Sequence, residues 1–137
     1  NKYMDYNDKL KQFTRYKHQL IIEKSNNNRL AKKYFVVSDY NYIDKIDKEL
    51  AKIIWQKLSL NIKNGFFGIS RETCLFCILI DMSKLTCESC HWSKKHLTCD
   101  NKQGDFQRLK EIFEEEYIDD ISSIEYKRIL KNIKSTP

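Results

Sequence analysis

Apolar side chains recur every three or four residues over most of this chain, with Lys, Asp and Asn filling the gaps. Tyr3, Tyr6, Leu10, Phe13, Leu20 and Ile21 follow that spacing and predict an amphipathic helix over roughly 2–24. The Ser-Asn-Asn-Asn run at 25–28 ends it. Residues 29–37 suit either a helix or a strand. Ser38 or Asp39 is then placed to cap a longer helix whose one face carries Ile43, Ile46, Leu50, Ile53, Ile54 and Leu58. That helix should close near Asn64-Gly65, since glycine tolerates the left-handed backbone of a helix C-terminus.

Residues 66–104 break the rhythm, with short apolar pieces, loops and every cysteine. Ser70-Arg71-Glu72 is suited to start a helix carrying Cys74 and Cys77. Gly104-Asp105 opens a further helix with Phe106, Leu109, Ile112, Phe113 and Tyr117 on one face. Ser122-x-x-Glu125 is a capping box for a last helix through Ile129, Leu130 and Ile133. The expected fold is mainly α. It is a single domain over 1–137, an irregular bundle of about four or five helices, with a four-cysteine metal knuckle inserted at about 66–104.

Composition agrees with this pattern. Three Gly and one Pro in 137 residues are too few for a turn-rich all-β fold. An apolar share of 41% can build a core and excludes a disordered composition. No apolar run approaches the ~18 residues of a membrane span, and no signal-peptide pattern is visible. The expectation is therefore an intracellular protein without membrane contact, although a chain opening on Asn1 leaves its native start open.

The net charge of +6 is concentrated in residues 1–38, which hold nine basic and three acidic side chains. Lys9, Lys11, Arg15, Lys17, Lys24, Arg29, Lys32 and Lys33 are candidates to track phosphates, with Tyr6, Phe13 and Tyr16 among them. Periodicity sends Tyr6 and Phe13 to the core instead. An exposed lysine-rich helix is the plainer reading, and His18 reads as a surface histidine within it. The C-terminal third is acidic. Its carboxylates at Glu114, Glu115, Glu116, Asp119 and Asp120 read first as a solvated helix face.

The cysteines carry the most chemistry. Cys74-x2-Cys77-x9-Cys87-x2-Cys90-x8-Cys99 contains two C-x2-C pairs, each able to bring two thiolates to one ion from a tight turn. Two pairs complete a tetrahedron, the geometry of structural zinc. Four thiolates are soft ligands that exclude calcium and magnesium. An iron–sulfur cluster also takes four thiolates and is the second choice. Burial as small hydrophobes would suit Cys74 and Cys77 among Leu75, Phe76 and Ile78, but not Cys87-Glu88-Ser89-Cys90 among polar neighbours. Cys99 and His96 are spare ligands, whereas His91 adjoins Cys90 too closely to share its ion. A four-thiolate site has no open coordination position. The H-x-E that accompanies zinc deaminase cysteines is absent, so no catalytic residue is assigned. Trp92, Lys94 and Lys95 form a second contact candidate beside the knuckle, unless Trp92 packs over the metal.

The stretch 55–109 resembles small, mostly uncharacterised proteins of phages and archaeal viruses built on a CxLC…CxxCP…C pattern. Trp55, the two C-x2-C pairs around Asp81, Cys99, and the Gly104-x-Phe106-x-x-Leu109 helix start carry the resemblance. Phe76 replaces the usual Leu, and His91 replaces the usual Pro. The resemblance covers about 40% of the chain, and it implies a mobile-element origin and a metal knuckle without assigning an activity.

The expected function is that of a non-enzymatic, zinc-stabilised binding protein. It would act on a protein of a nucleic-acid-handling machine, such as a polymerase or a CRISPR effector. Direct DNA or RNA binding through the basic N-terminal third is the first alternative. A metal-dependent nuclease using Glu115, Glu116 and Asp119 is the second.

Overall fold

The computed structural model describes residues 4–25, 28–33, 37–83, 90–96, 100–115 and 123–134. Most of these residues are helical, with no strand among them. In chain order they form α1 (Tyr6–Lys24), α2 (Asn28–Lys33), α3 (Val37–Ile43), α4 (Lys48–Lys63), a 3-10 turn (Arg71–Thr73), α5 (Leu75–Ser83), α6 (His91–His96), α7 (Asp105–Glu115) and α8 (Ser123–Lys134). None of the described helices is long and apolar enough to cross a membrane.

α1 begins where the Asp5 carboxylate accepts the Asp8 amide at 2.8 Å, a side-chain cap on one of the orphan donors of the first turn. Its inward face buries Leu10, Phe13 and Ile21. α4 is amphipathic, with Ala51, Ile54, Trp55, Leu58 and Ile62 buried at three- and four-residue steps. It closes at Asn64, and Gly65 follows at φ 98°, the left-handed geometry expected at this position.

One boundary differs from the expected helix that begins at Ser38 or Asp39 and runs on through Leu58. The chain turns at 44–47, between α3 and α4, and the cap of the second helix is Asp47. The cause is Asn7 on α1. Its side-chain amide donates to the Ile43 carbonyl at 2.9 Å and to the Ile46 carbonyl at 2.7 Å. Carbonyls turned toward Asn7 favour a turn here. Asp47 then supplies a new start by accepting the Glu49 and Leu50 amides. Residues 28–33 resolve the helix-or-strand alternative as helix. The Ser122 half of the expected capping box lies outside the described residues, and so does Tyr117.

α1, α4 and α8 pack against one another and hold the core. α8 runs antiparallel to α1. Lys24 at the end of α1 pairs with Glu125 in the first turn of α8 at 2.8 Å, while Tyr6 and Lys9 at the start of α1 share a groove with Lys131 and Lys134. Tyr126, Leu130 and Ile133 of α8 are buried, and the Tyr126 ring meets Phe13 edge-on at 5.7 Å between centroids. The cysteine-bearing segment adds Leu75, Phe76 and Ile78 to this same core.

Candidate metal centre

The path from α4 to the first cysteine pair is held by side chains reaching the backbone. Asn61 donates to the Glu72 carbonyl at 2.9 Å, and Thr73 Oγ1 donates to the carbonyls of Gly68 and Ser70, both at 3.1 Å. Gly68 takes φ 71°, which a side chain would disfavour, and its carbonyl also accepts the Tyr126 hydroxyl at 2.6 Å. Arg71 forms an ion pair with Asp81, tying the 3-10 turn to α5. Cys74 therefore leaves a fixed turn. Its carbonyl accepts the Ile78 amide at 3.0 Å, which makes it the residue that opens α5. Cys77 stands in the first turn of the same helix, where the partial positive charge of the helix terminus favours an anionic sulfur.

The thiols of Cys74 and Cys77 share a hydrogen bond. That bond and burial push the Cys74 thiol well above its ordinary range, while Lys17 opposes the shift. Cys90 opens α6 in the way Cys74 opens α5. Its carbonyl accepts the Lys94 amide at 3.2 Å and the Ser93 hydroxyl at 2.9 Å. All three cysteines line one cavity of about 290 Å³, together with Lys17 and His18 from α1, Trp92 from α6, and Leu109 from α7. Cys87 and Cys99 lie outside the described residues. Among the described residues no group of three His, Cys, Asp or Glu side chains is arranged to hold a metal. The site as drawn by the sequence needs Cys87 to complete it.

Lys17 supplies the test of fit. Its side chain is only 7% exposed, and its ammonium donates to the Thr73 carbonyl at 3.2 Å. No carboxylate pairs with it among the described residues. Burial lowers its pKa, and the two facing thiols, when ionised, raise it. A buried cation without a counter-charge is costly. An anionic thiolate–metal centre is a chemistry that would compensate it, so the donor set and its surroundings suit such a group.

The remaining candidates are redistributed. His96 is buried, and its Nδ1 lies 2.7 Å from the Asp105 carboxylate while its ring stacks on Trp92 at 4.4 Å. Histidine oriented by a carboxylate in this way is a familiar supporting arrangement near metal centres. Trp92 points into the cavity and meets Phe106 edge-on at 6.4 Å, which makes it a packing residue. His91 stacks flat on Tyr42 at 3.9 Å.

The basic candidates differ in their surroundings. Lys17 is buried, a correction to its assignment as a partner contact. Lys11 is held by Asp44 at 2.6 Å. Arg15 lies over the Tyr40 ring and Lys9 over the Tyr6 ring. Arg29, Lys32, Lys33 and Lys94 are exposed, and the Lys95 side chain is outside the described residues. His18 is likewise no surface residue. Its Nδ1 lies 2.5 Å from the Tyr40 hydroxyl, and burial and then Lys17 hold its pKa well below 6.5.

Sequence reasoning had no means of assigning Lys17 and His18 to the cysteines. They are 56 or more residues away along the chain, and only the packing of α1 on the 3-10 turn unites them. Comparison with protein-family models, with curated proteins and with solved structures gives no match.

Proposed function

We propose that this chain is a non-enzymatic binding protein stapled by one zinc ion. The ion would be held by Cys74, Cys77 and Cys90 together with Cys87, and the protein would act on a component of a nucleic-acid-handling machine. The observation that carries the metal is the shared cavity: three of the four sequence-predicted thiols line it, in front of a buried lysine that has no carboxylate partner among the described residues. Zinc bound there would neutralise paired thiols and link the start of α5 to the start of α6. Because a four-thiolate site is closed, the ion contributes to folding rather than to reaction chemistry.

Support for a partner in nucleic-acid handling is the net charge of +6. A polymerase or a CRISPR effector is the class of machine we favour.

The test is metal content per chain, by elemental mass spectrometry on protein purified without chelator. We expect one zinc without visible absorbance, lost in both Cys74→Ser and Cys90→Ser. Iron with a broad visible band, or no metal at all, would refute the zinc centre.

A further inference from the structure

A second concavity shares no lining residue with the cysteine cavity. It is a groove of about 670 Å³ between α1, α4 and α8. Five lysines rim it: Lys9, Lys63, Lys127, Lys131 and Lys134. Among the described residues, no Asp or Glu lines it. None of the five ammonium groups joins an ion pair among the described residues.

The placement follows from helical spacing. Positions 127, 131 and 134 are i, i+4 and i+7 on α8 and form one stripe. Positions 56, 60 and 63 do the same on α4. The groove therefore runs along both helices for about two turns, on the order of 10 Å.

The floor between these cations is largely carbon. Leu60, 49% exposed, is its main apolar contact surface, since Trp55 and Leu130 beneath the groove are almost fully buried. A nucleic acid would use the lysines and leave this floor unmatched. Single-stranded bases need open ring faces on which to stack. Trp55 offers little, at 4% exposure, and Lys9 stands over the Tyr6 ring at 5.0 Å. An amphipathic helix matches both parts at once, with an apolar stripe on the floor and carboxylates against the rim.

We propose that this groove is the docking site for an acidic amphipathic helix of a protein partner. The inference rests on the reading of this chain as a binding protein, and it is independent of the zinc centre.

The probe is a fluorescein-labelled peptide of about 18 residues with Leu at i, i+3, i+4 and i+7 and Glu elsewhere, long enough to overlie the groove as a helix. A scrambled peptide of the same composition and a labelled single-stranded DNA of about 20 nucleotides serve as comparators. Fluorescence anisotropy is measured with the full chain, with Lys127→Glu/Lys131→Glu and with Leu60→Ser, after circular dichroism has shown each to be folded.

We expect the ordered peptide to bind at least about tenfold tighter than the scrambled one. The double charge reversal should weaken it by about tenfold or more, and Leu60→Ser by severalfold. Equal binding of both peptides, indifference to either variant, or DNA binding tighter than the peptide and lost with the lysines would each overturn the proposal. Metal content measured on the same sample separates the two readings. Peptide binding by metal-free protein would leave the groove standing and remove the zinc. A zinc-loaded protein that ignores the peptide would do the reverse.

Discussion

Lys17 places an ammonium group where water is largely excluded, with a backbone carbonyl as its hydrogen-bond acceptor and two thiols facing it. In metal-free protein this arrangement is a cost, because the charged form is poorly solvated. Replacement by methionine keeps the stem and removes the charge. We expect metal-free Lys17→Met to be more stable than the parent by about 1 kcal/mol or more. We expect the zinc-loaded variant to lose its metal to a chelator about tenfold more readily. Denaturation without metal and chelator competition with metal should thus move in opposite senses, and movement in the same sense would remove Lys17 as the counter-charge. The neighbouring His18 gives a pH signature. Its folded pKa lies well below the unfolded 6.5, so below about pH 6.5 the unfolded chain binds more protons than the folded one. Its contribution to stability is present above that pH and is lost as the pH falls. The denaturation midpoint should rise from about pH 5 to 7, and His18→Gln should flatten that rise.

Between elements, the tie that bears most on the cysteine pair is the Tyr126 hydroxyl of α8 on the Gly68 carbonyl, ahead of the 3-10 turn. Tyr126→Phe keeps the edge-on contact with Phe13 and removes one of the two side-chain donors on the Gly68 carbonyl. It should cost about 1 kcal/mol in urea denaturation. Tyr126→Ala, which also opens a cavity, should cost about 3–5 kcal/mol. Zinc content should be unchanged in the phenylalanine variant, since Thr73 also holds that turn. The helical runs that end at Lys24 and Lys63 are legible from periodicity, because their buried positions repeat at helical steps, although α1 starts at Tyr6 rather than near residue 2. The break between α3 and α4 is not. It depends on Asn7 reaching across from another helix, and no local rule on residues 38–58 contains that contact. The same limit explains Trp92, whose position beside cations suggests a surface anchor until His96 and Phe106 are seen around it.

Taken whole, the molecule assembles its two concavities from segments far apart in sequence, which is why spacing found the thiols and missed their surroundings. The lysine groove draws on residues 6–9, 55–63 and 127–134, and none of these stretches is conspicuous alone. Of the basic side chains at 1–38, Lys9 joins this groove, Lys11 pairs with Asp44 and Lys17 is buried. The antiparallel seating of α8 on α1 also sets a timetable for synthesis. The face of α1 that carries Phe13 is covered by Tyr126, and Lys24 meets a partner 101 residues further on. At about 5–20 residues per second, the ribosome needs several seconds after finishing α4 before α8 has been made. During that interval the α1 side chains that Tyr126 covers in the finished fold lack that cover, and another amphipathic helix close by can compete for them.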